Sequence, residues 1–335
     1  MVASESAGFL TSFAAIDIYF SESKELSKLS EEAIAEFKHL LKTGAADKEV
    51  QQAKEKALEA VQKVAEHREA KATAYIQQLD ILSGPKLSSK ANRKLDKNSV
   101  HMEQALDMAG WLRSQDVGRA SRYAKSAGAD AEKMYKVADD VVRKRQGSRE
   151  VAEAMATHAL RKAIERAEYE VKLAAEHAEY LETAAMNAAE ESLEWKGVRA
   201  SRLEQRKAKT LGLWADKAIE QMTDAAIRES RVYRKFAKWA GTIPDNKLEA
   251  LQKENLQKAY NVMQSLKEKT HAYEQRLSEM ADRAMELYEQ PEFTLVLGKQ
   301  HQTTQAKWLS ERLTEFRLKQ TESDRITTHL LNLIS

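Results

Sequence analysis

Cysteine is absent from the 335-residue chain. Its absence excludes disulfides, thiolate zinc sites and cysteine nucleophiles. Proline occurs three times and glycine eleven times, so the residues that punctuate secondary structure are scarce. Aromatic residues make up only 7%. Neither sign of charge is in excess: 54 Lys and Arg stand against 52 Asp and Glu. Any anionic partner therefore has to be recruited by a local patch. No apolar run approaches the ~18–20 residues that span a bilayer. The first twenty residues lack a basic start and carry Asp17 within their apolar stretch, unlike a secretory leader. These absences predict a soluble, cytoplasmic chain, with secretion by another route left open.

What is present is charge (32%) and a hydrophobic class (42%) that is largely alanine. A chain rich in Ala, Glu, Lys, Leu and Arg with few breakers reads as long helices. The spacing of apolar residues agrees. Leu160, Ile164, Ala167, Val171, Ala174, Ala178, Leu181, Ala185 and Ala188 step by fours and threes, the seam of a coiled coil. Ala259, Met263, Leu266, Thr270, Tyr273, Leu277, Met280, Ala284 and Leu287 do the same. Helices of this length with short connections fold back on their neighbours. The fold class expected is all-α: an elongated bundle of long antiparallel helices with coiled-coil-like packing.

The breakers set the expected divisions. Gly44 stands where a C-terminal cap belongs and Asp47 where an N-cap does. Gly84-Pro85 closes a first segment, 1–83. Residues 84–147 hold five of the eleven glycines and read as an elbow or subdomain of shorter helices, near 92–115, 117–127 and 129–146. Ser148 is placed to cap a long Ala-rich helix or helix pair over 148–240, with a break near 197–212 open. Gly241 and Pro244 precede a C-terminal helical hairpin, 241–335. Phe293 to Leu297 suits a short strand or extended turn.

Three constellations are candidates for function. The first is a basic stripe, Lys196, Arg199, Arg202, Arg206 and Lys209, on one helical face. A second run, Arg228, Arg231, Lys235 and Lys238, is interleaved with Tyr233, Phe236 and Trp239. Such faces track phosphates of nucleic acid or sit on anionic lipid. The alternative is a solvated face paired with glutamates of neighbouring helices. The second candidate is Glu268-Lys-Thr-His271, whose Glu-x-x-His spacing serves di-iron bundles only alongside a second such motif and two further inward glutamates. It reads instead as a flank histidine beside Tyr273. The third is the apolar stripe Phe9, Phe13, Ile16 and Phe20, either a membrane-seeking start or a helix docked on the bundle.

No phosphate-binding glycine loop, nucleophile elbow or zinc-protease motif occurs. Catalytic, cofactor and metal residues are therefore expected to be none. The function expected is a non-enzymatic structural, scaffold or adaptor role through association with a protein, itself or another. Two alternatives stand beside it: a soluble component of an α-helical pore-forming toxin or membrane-binding bundle, and a nucleic-acid-associated protein using the 196–209 stripe.

Overall fold

The computed structural model describes the backbone over residues 2–82, 84–144, 147–194, 197–241, 246–289 and 299–334. Within these, side chains are described from residue 22 onward, apart from 246–249, 287–289, 299–306, 319 and 322. Every described element is an α-helix. They are α1 (Val2–Thr43), α2 (Asp47–Ile81), α3 (Pro85–Lys144), α4 (Arg149–Leu193), α5 (Val198–Ala240), α6 (Asn246–Glu289), α7 (Lys299–Lys319) and α8 (Thr321–Ile334). The all-α expectation holds. The Phe293–Leu297 segment lies outside the described residues.

The helix ends follow the local chemistry. Gly44 adopts φ +68°, and the amide of Ala45 reaches back to the Leu40 carbonyl at 3.3 Å. This is a glycine-centred C-cap that satisfies a carbonyl the helix leaves open. Pro85 opens α3 at the position where its missing N–H costs nothing. Ser148 caps α4 by accepting from the Val151 amide at 3.4 Å, as its position implied. Asp47 does not cap α2. The cap residue is Ala46, with no side-chain bond, and Asp47 sits in the first turn with Glu49, where negative charge favours the helix dipole.

One segment differs from expectation. Within 84–147, Pro85–Lys144 is one 60-residue helix rather than three short ones. Glycine in a helix interior costs about 1 kcal/mol against alanine, which favourable neighbours over so long a helix offset easily. Gly110 has a further reason to be there. A Cβ on it would overlap the indole of Trp214 from α5, so only glycine allows that approach. The 148–240 segment is two helices, broken where Gly197 takes φ +94°.

The chain divides into two compact units. Unit 1 comprises residues 1–113, 184–214 and 295–297, and unit 2 comprises 114–183, 215–294 and 298–335. In unit 1, α1 and α2 run antiparallel: Lys56 meets Glu36 at 2.8 Å and His67 meets Ser23 at 2.8 Å. α3 returns antiparallel to α2, with Arg68 donating to Asn98 at 3.2 Å and Lys94 over the Tyr75 ring. α5 lies parallel to α3, Arg206 facing Glu103 and Trp214 donating to Asp107. Two successive reversals account for the parallel pair. Its core joins Phe37, Val50, Ala57, Val61 and Leu112, and Phe37 meets Trp111 edge-on at 6.0 Å.

In unit 2, α4 and α5 are antiparallel, with Glu170 against Arg228 and Glu168 against Tyr233. α7 and α8 pack on α6, with Phe316 against Tyr273 at 5.1 Å and Asp324 beside Lys267. The interior is rich in alanine. Ala156, Ala163, Ala167 and Ala174 are fully buried, each adding little apolar area but admitting a close helix neighbour. The α4 seam sits one position from the expected line at two points: Ala163 and Glu170 face inward, while Ile164 and Val171 are half-buried.

Candidate functional site

The two basic runs lie along α5, and four of their eight described members meet carboxylates. Arg199 pairs with Asp80 at 3.3 Å and Arg206 with Glu103 at 3.7 Å. Lys207, next to Arg206 in sequence, contacts Glu69 at 3.0 Å and Glu191 at 3.8 Å. Burial alone would lower the Lys207 pKa, but Glu69, Glu204 and Glu191 raise it overall. In the second run Arg228 bonds Glu170, and Lys235 bonds Glu132. Arg202, Lys209, Arg231 and Lys238 are exposed. Lys196 lies outside the described residues. These four pairings hold α5 to its neighbours. Spacing cannot show it, because the acids come from α2, α3 and α4.

Below the second run lies a buried carboxylate cluster. Glu170 is 2% exposed and Glu229 is 4% exposed. Arg228 bonds the Glu170 carboxylate and the Ser121 hydroxyl, while Tyr233 donates to Glu168. Burial, then the charges of Glu168 and Glu170, push the Glu229 carboxyl up to about 7. Burial first, then the hydrogen bond to Glu168 and the charges of Glu168, Glu229 and Glu254, raise the Tyr233 phenol. In unit 1, burial pushes Glu204 up to about 7 as well. The apolar spacing assigned Val171 rather than Glu170 to the seam between Ala167 and Ala174, so it did not single out this cluster.

A basic cavity in unit 1 was not legible from spacing. Its volume is about 550 Å³, and Lys24, Lys28, Arg68, Lys71, Lys94 and Lys97 line it. They come from α1, α2 and α3, with His101 added and Glu31 the one acid in the lining. Lys71 is only 3% exposed. Its ammonium reaches the Ser23 hydroxyl at 3.2 Å. Burial first, then repulsion from Arg68, Lys94 and Lys97, pull its pKa down to about 8. Beside it Tyr75 is 1% exposed. Its hydroxyl makes no hydrogen bond of ordinary geometry, although Asn98 lies near enough to favour its ionised form. Burial dominates and raises that phenol.

A second cavity, in unit 2, has about 280 Å³ between Tyr135, Leu160, Val232 and Trp239, with Lys235 and Lys238 at its edge. The surface of α4 in the same unit carries exposed Val151, Met155, Tyr169 and Tyr180. At 3.6 residues per turn these fall within about 40° of one another. Arg166 of α4 stacks over Tyr123 of α3, itself exposed, at 5.6 Å.

The remaining candidates separate. His271 is exposed and stands 3.8 Å from Glu274 rather than from Glu268. A further Glu-x-x-His, Glu36-Phe-Lys-His39, lies on α1 and escaped the motif reading. Among the described residues no three His, Asp or Glu side chains gather as a metal site. The side chains of Phe9, Phe13, Ile16 and Phe20 lie outside the described residues. No helix among the described residues is long and apolar enough to cross a membrane.

The fold and these surfaces define the class: an all-α helical bundle with a basic cavity in one unit and an exposed apolar stripe in the other. No protein-family model and no curated protein matches the chain. Among solved structures, it is similar to one described as "Computational Design of Self-Assembling Cyclic Protein Homooligomers", at 12% identity over 93% of this chain and 98% of that one, with a TM-score of 0.22. Another is described as "Circular tandem repeat protein with novel repeat topology and enhanced subunit contact surfaces", at 14% identity over 93% and 76%, with a TM-score of 0.20. TM-scores this low describe different arrangements of helices.

Proposed function

We propose that the protein is a non-enzymatic scaffold or adaptor that works by associating with another protein chain, including copies of itself. The observation that carries this reading is the aligned stripe Val151, Met155, Tyr169 and Tyr180 on α4, exposed along one face. Single exposed apolar residues are ordinary, but a row of large ones on one helix face is how a helix meets a partner. Tyrosine and methionine suit such a surface. Tyrosine supplies rigid area with a polar tip, and methionine adapts its shape. The neighbouring Tyr123–Arg166 pair extends the patch with residue types common at interface centres.

The test is light scattering in line with size-exclusion chromatography over a range of protein concentrations. A defined oligomer in the parent protein, lost in Met155→Glu with Tyr169→Glu, is the expected result for self-association. Both positions are exposed, so the changes leave the interior intact. A monomer at every concentration removes self-association as the mode of action. Oligomers that survive the double variant place the interface elsewhere.

A further inference from the structure

We propose that the cavity between α3, α4 and α5 in unit 2 binds a small amphipathic carboxylate, its apolar body inside and its anionic head among the lysines at the mouth. The cavity has about 280 Å³, close to the lower end of the range of about 300–1,000 Å³ typical of small-molecule sites. Small residues make the room: Gly128 and Ala131 of α3 and Ala163 of α4 line it. A Cβ on Gly128 would meet no atom within 4 Å. Elsewhere in this unit small residues such as Ala167 and Ala174 are fully buried and let helices close on one another. Here Tyr135, Leu160 and Trp239 stand among them, and a space of ligand size is left.

The walls suit an apolar body. Trp239 is 4% exposed, stacks on Phe236 at 5.9 Å and meets Tyr135 edge-on at 6.2 Å. Rings held this way present a fixed apolar surface, and water against it has few hydrogen-bond partners. An apolar group that displaces such water gains affinity. The mouth suits an anion. Among the described lining residues the charged ones are Lys136, Lys235, Lys238 and Glu132, three cations to one acid. Lys235 bonds Glu132 and keeps that bond with the ligand in place. Lys136 and Lys238 are exposed. Their long stems let the ammonium groups move to a carboxylate at the mouth while the methylenes cover apolar surface. A cationic ligand meets repulsion there. Nucleic acid would reach the lysines but not the walls, which are met only by a ligand small enough to enter. The cavity draws on the buried face of α4, through Leu160 and Ala163, not on its exposed stripe. This inference and the association reading therefore stand or fall separately.

The experiment is isothermal titration calorimetry of the full chain with naphthoate and, in a parallel arm, octanoate. Saturable one-to-one binding of at least one is expected, with the matching alcohols, naphthalenemethanol and octanol, severalfold weaker. Tighter naphthoate assigns the site to aromatic acids, and tighter octanoate to acyl chains. Lys136→Glu with Lys238→Glu weakens binding of the acid severalfold and leaves that of the alcohol unchanged. Lys136→Gln with Lys238→Gln serves if the charge reversal does not fold. Gly128→Leu fills the cavity and abolishes binding, while the melting temperature holds or rises because leucine favours the helix more than glycine does. Met155→Glu with Tyr169→Glu, on the exposed face of α4, leaves binding unchanged. Absence of binding to both acids overturns the proposal. So does equal binding of acids and alcohols, or binding that survives either the lysine changes or Gly128→Leu in a folded protein.

Discussion

Replacing Glu229 by glutamine is expected to stabilise the protein above neutral pH and to do little in acid. Glu229 is 4% exposed on α5, and burial with the facing charges of Glu168 and Glu170 pushes its carboxyl from the ordinary 4.5 up to about 7. Between those two values the folded chain holds a proton that the unfolded chain has released. Stability contributed by this group therefore falls as pH rises from 4.5 to 7, and the full cost is present above 7. At 1.36 kcal/mol per decade, a carboxyl held to about 7 costs about 3 kcal/mol. That figure is an upper bound on the gain, since the glutamine amide must itself find partners. Glu204 titrates in the same window, so the variant loses part of the pH dependence, not all of it. Urea unfolding followed by far-UV circular dichroism at about pH 4 and about pH 8 checks this, comparing midpoints at equal slope. A gain of the same size at both pH values, or a loss at the higher one, would refute the reasoning.

Lys71→Met should stabilise the protein near neutral pH by up to about 3 kcal/mol, because the buried ammonium's pKa is pulled down to about 8. The cost of Lys71 is full below pH 8 and fades as pH climbs toward 10.5, so the gain read from urea midpoints should shrink on that side. Gly110→Ala gains about 1 kcal/mol of helix propensity but forces a Cβ into the Trp214 indole. A net loss of about 1–3 kcal/mol is expected, and a double-mutant cycle with Trp214→Leu should recover much of it. Arg312 is buried, contacts Asp216 at 2.7 Å and stacks on Trp308 at 5.1 Å. Arg312→Ala should cost about 3 kcal/mol or more by stranding the Asp216 charge, with Arg312→Met milder; thermal unfolding distinguishes them.

Motif reading worked where a local residue acts on its own backbone. Gly44 caps α1 and Ser148 caps α4 because each depends only on φ or on a hydroxyl three residues away. It failed over 84–147, where glycines suggested breaks. Glycine there is a tolerated weakness, and at Gly110 it is demanded by a tryptophan from 104 residues downstream, a relation that no window along the chain reveals. The basic stripes were legible as faces but not as partners, since Asp80, Glu103, Glu132 and Glu170 reach them from other helices. The Lys71 cavity was invisible for the same reason: its cations are split among three helices.

The sequence by itself determined the helical class, most of the helix ends and the alanine seams, because propensity, capping and apolar period act over a few residues. Only the tertiary structure decided that α5 lies parallel to α3, that Glu170 and Glu229 share an interior, and that six cations surround one cavity. Those outcomes depend on which helix faces meet, and charge in a folded protein takes its meaning from what lies across the space between helices rather than along the chain.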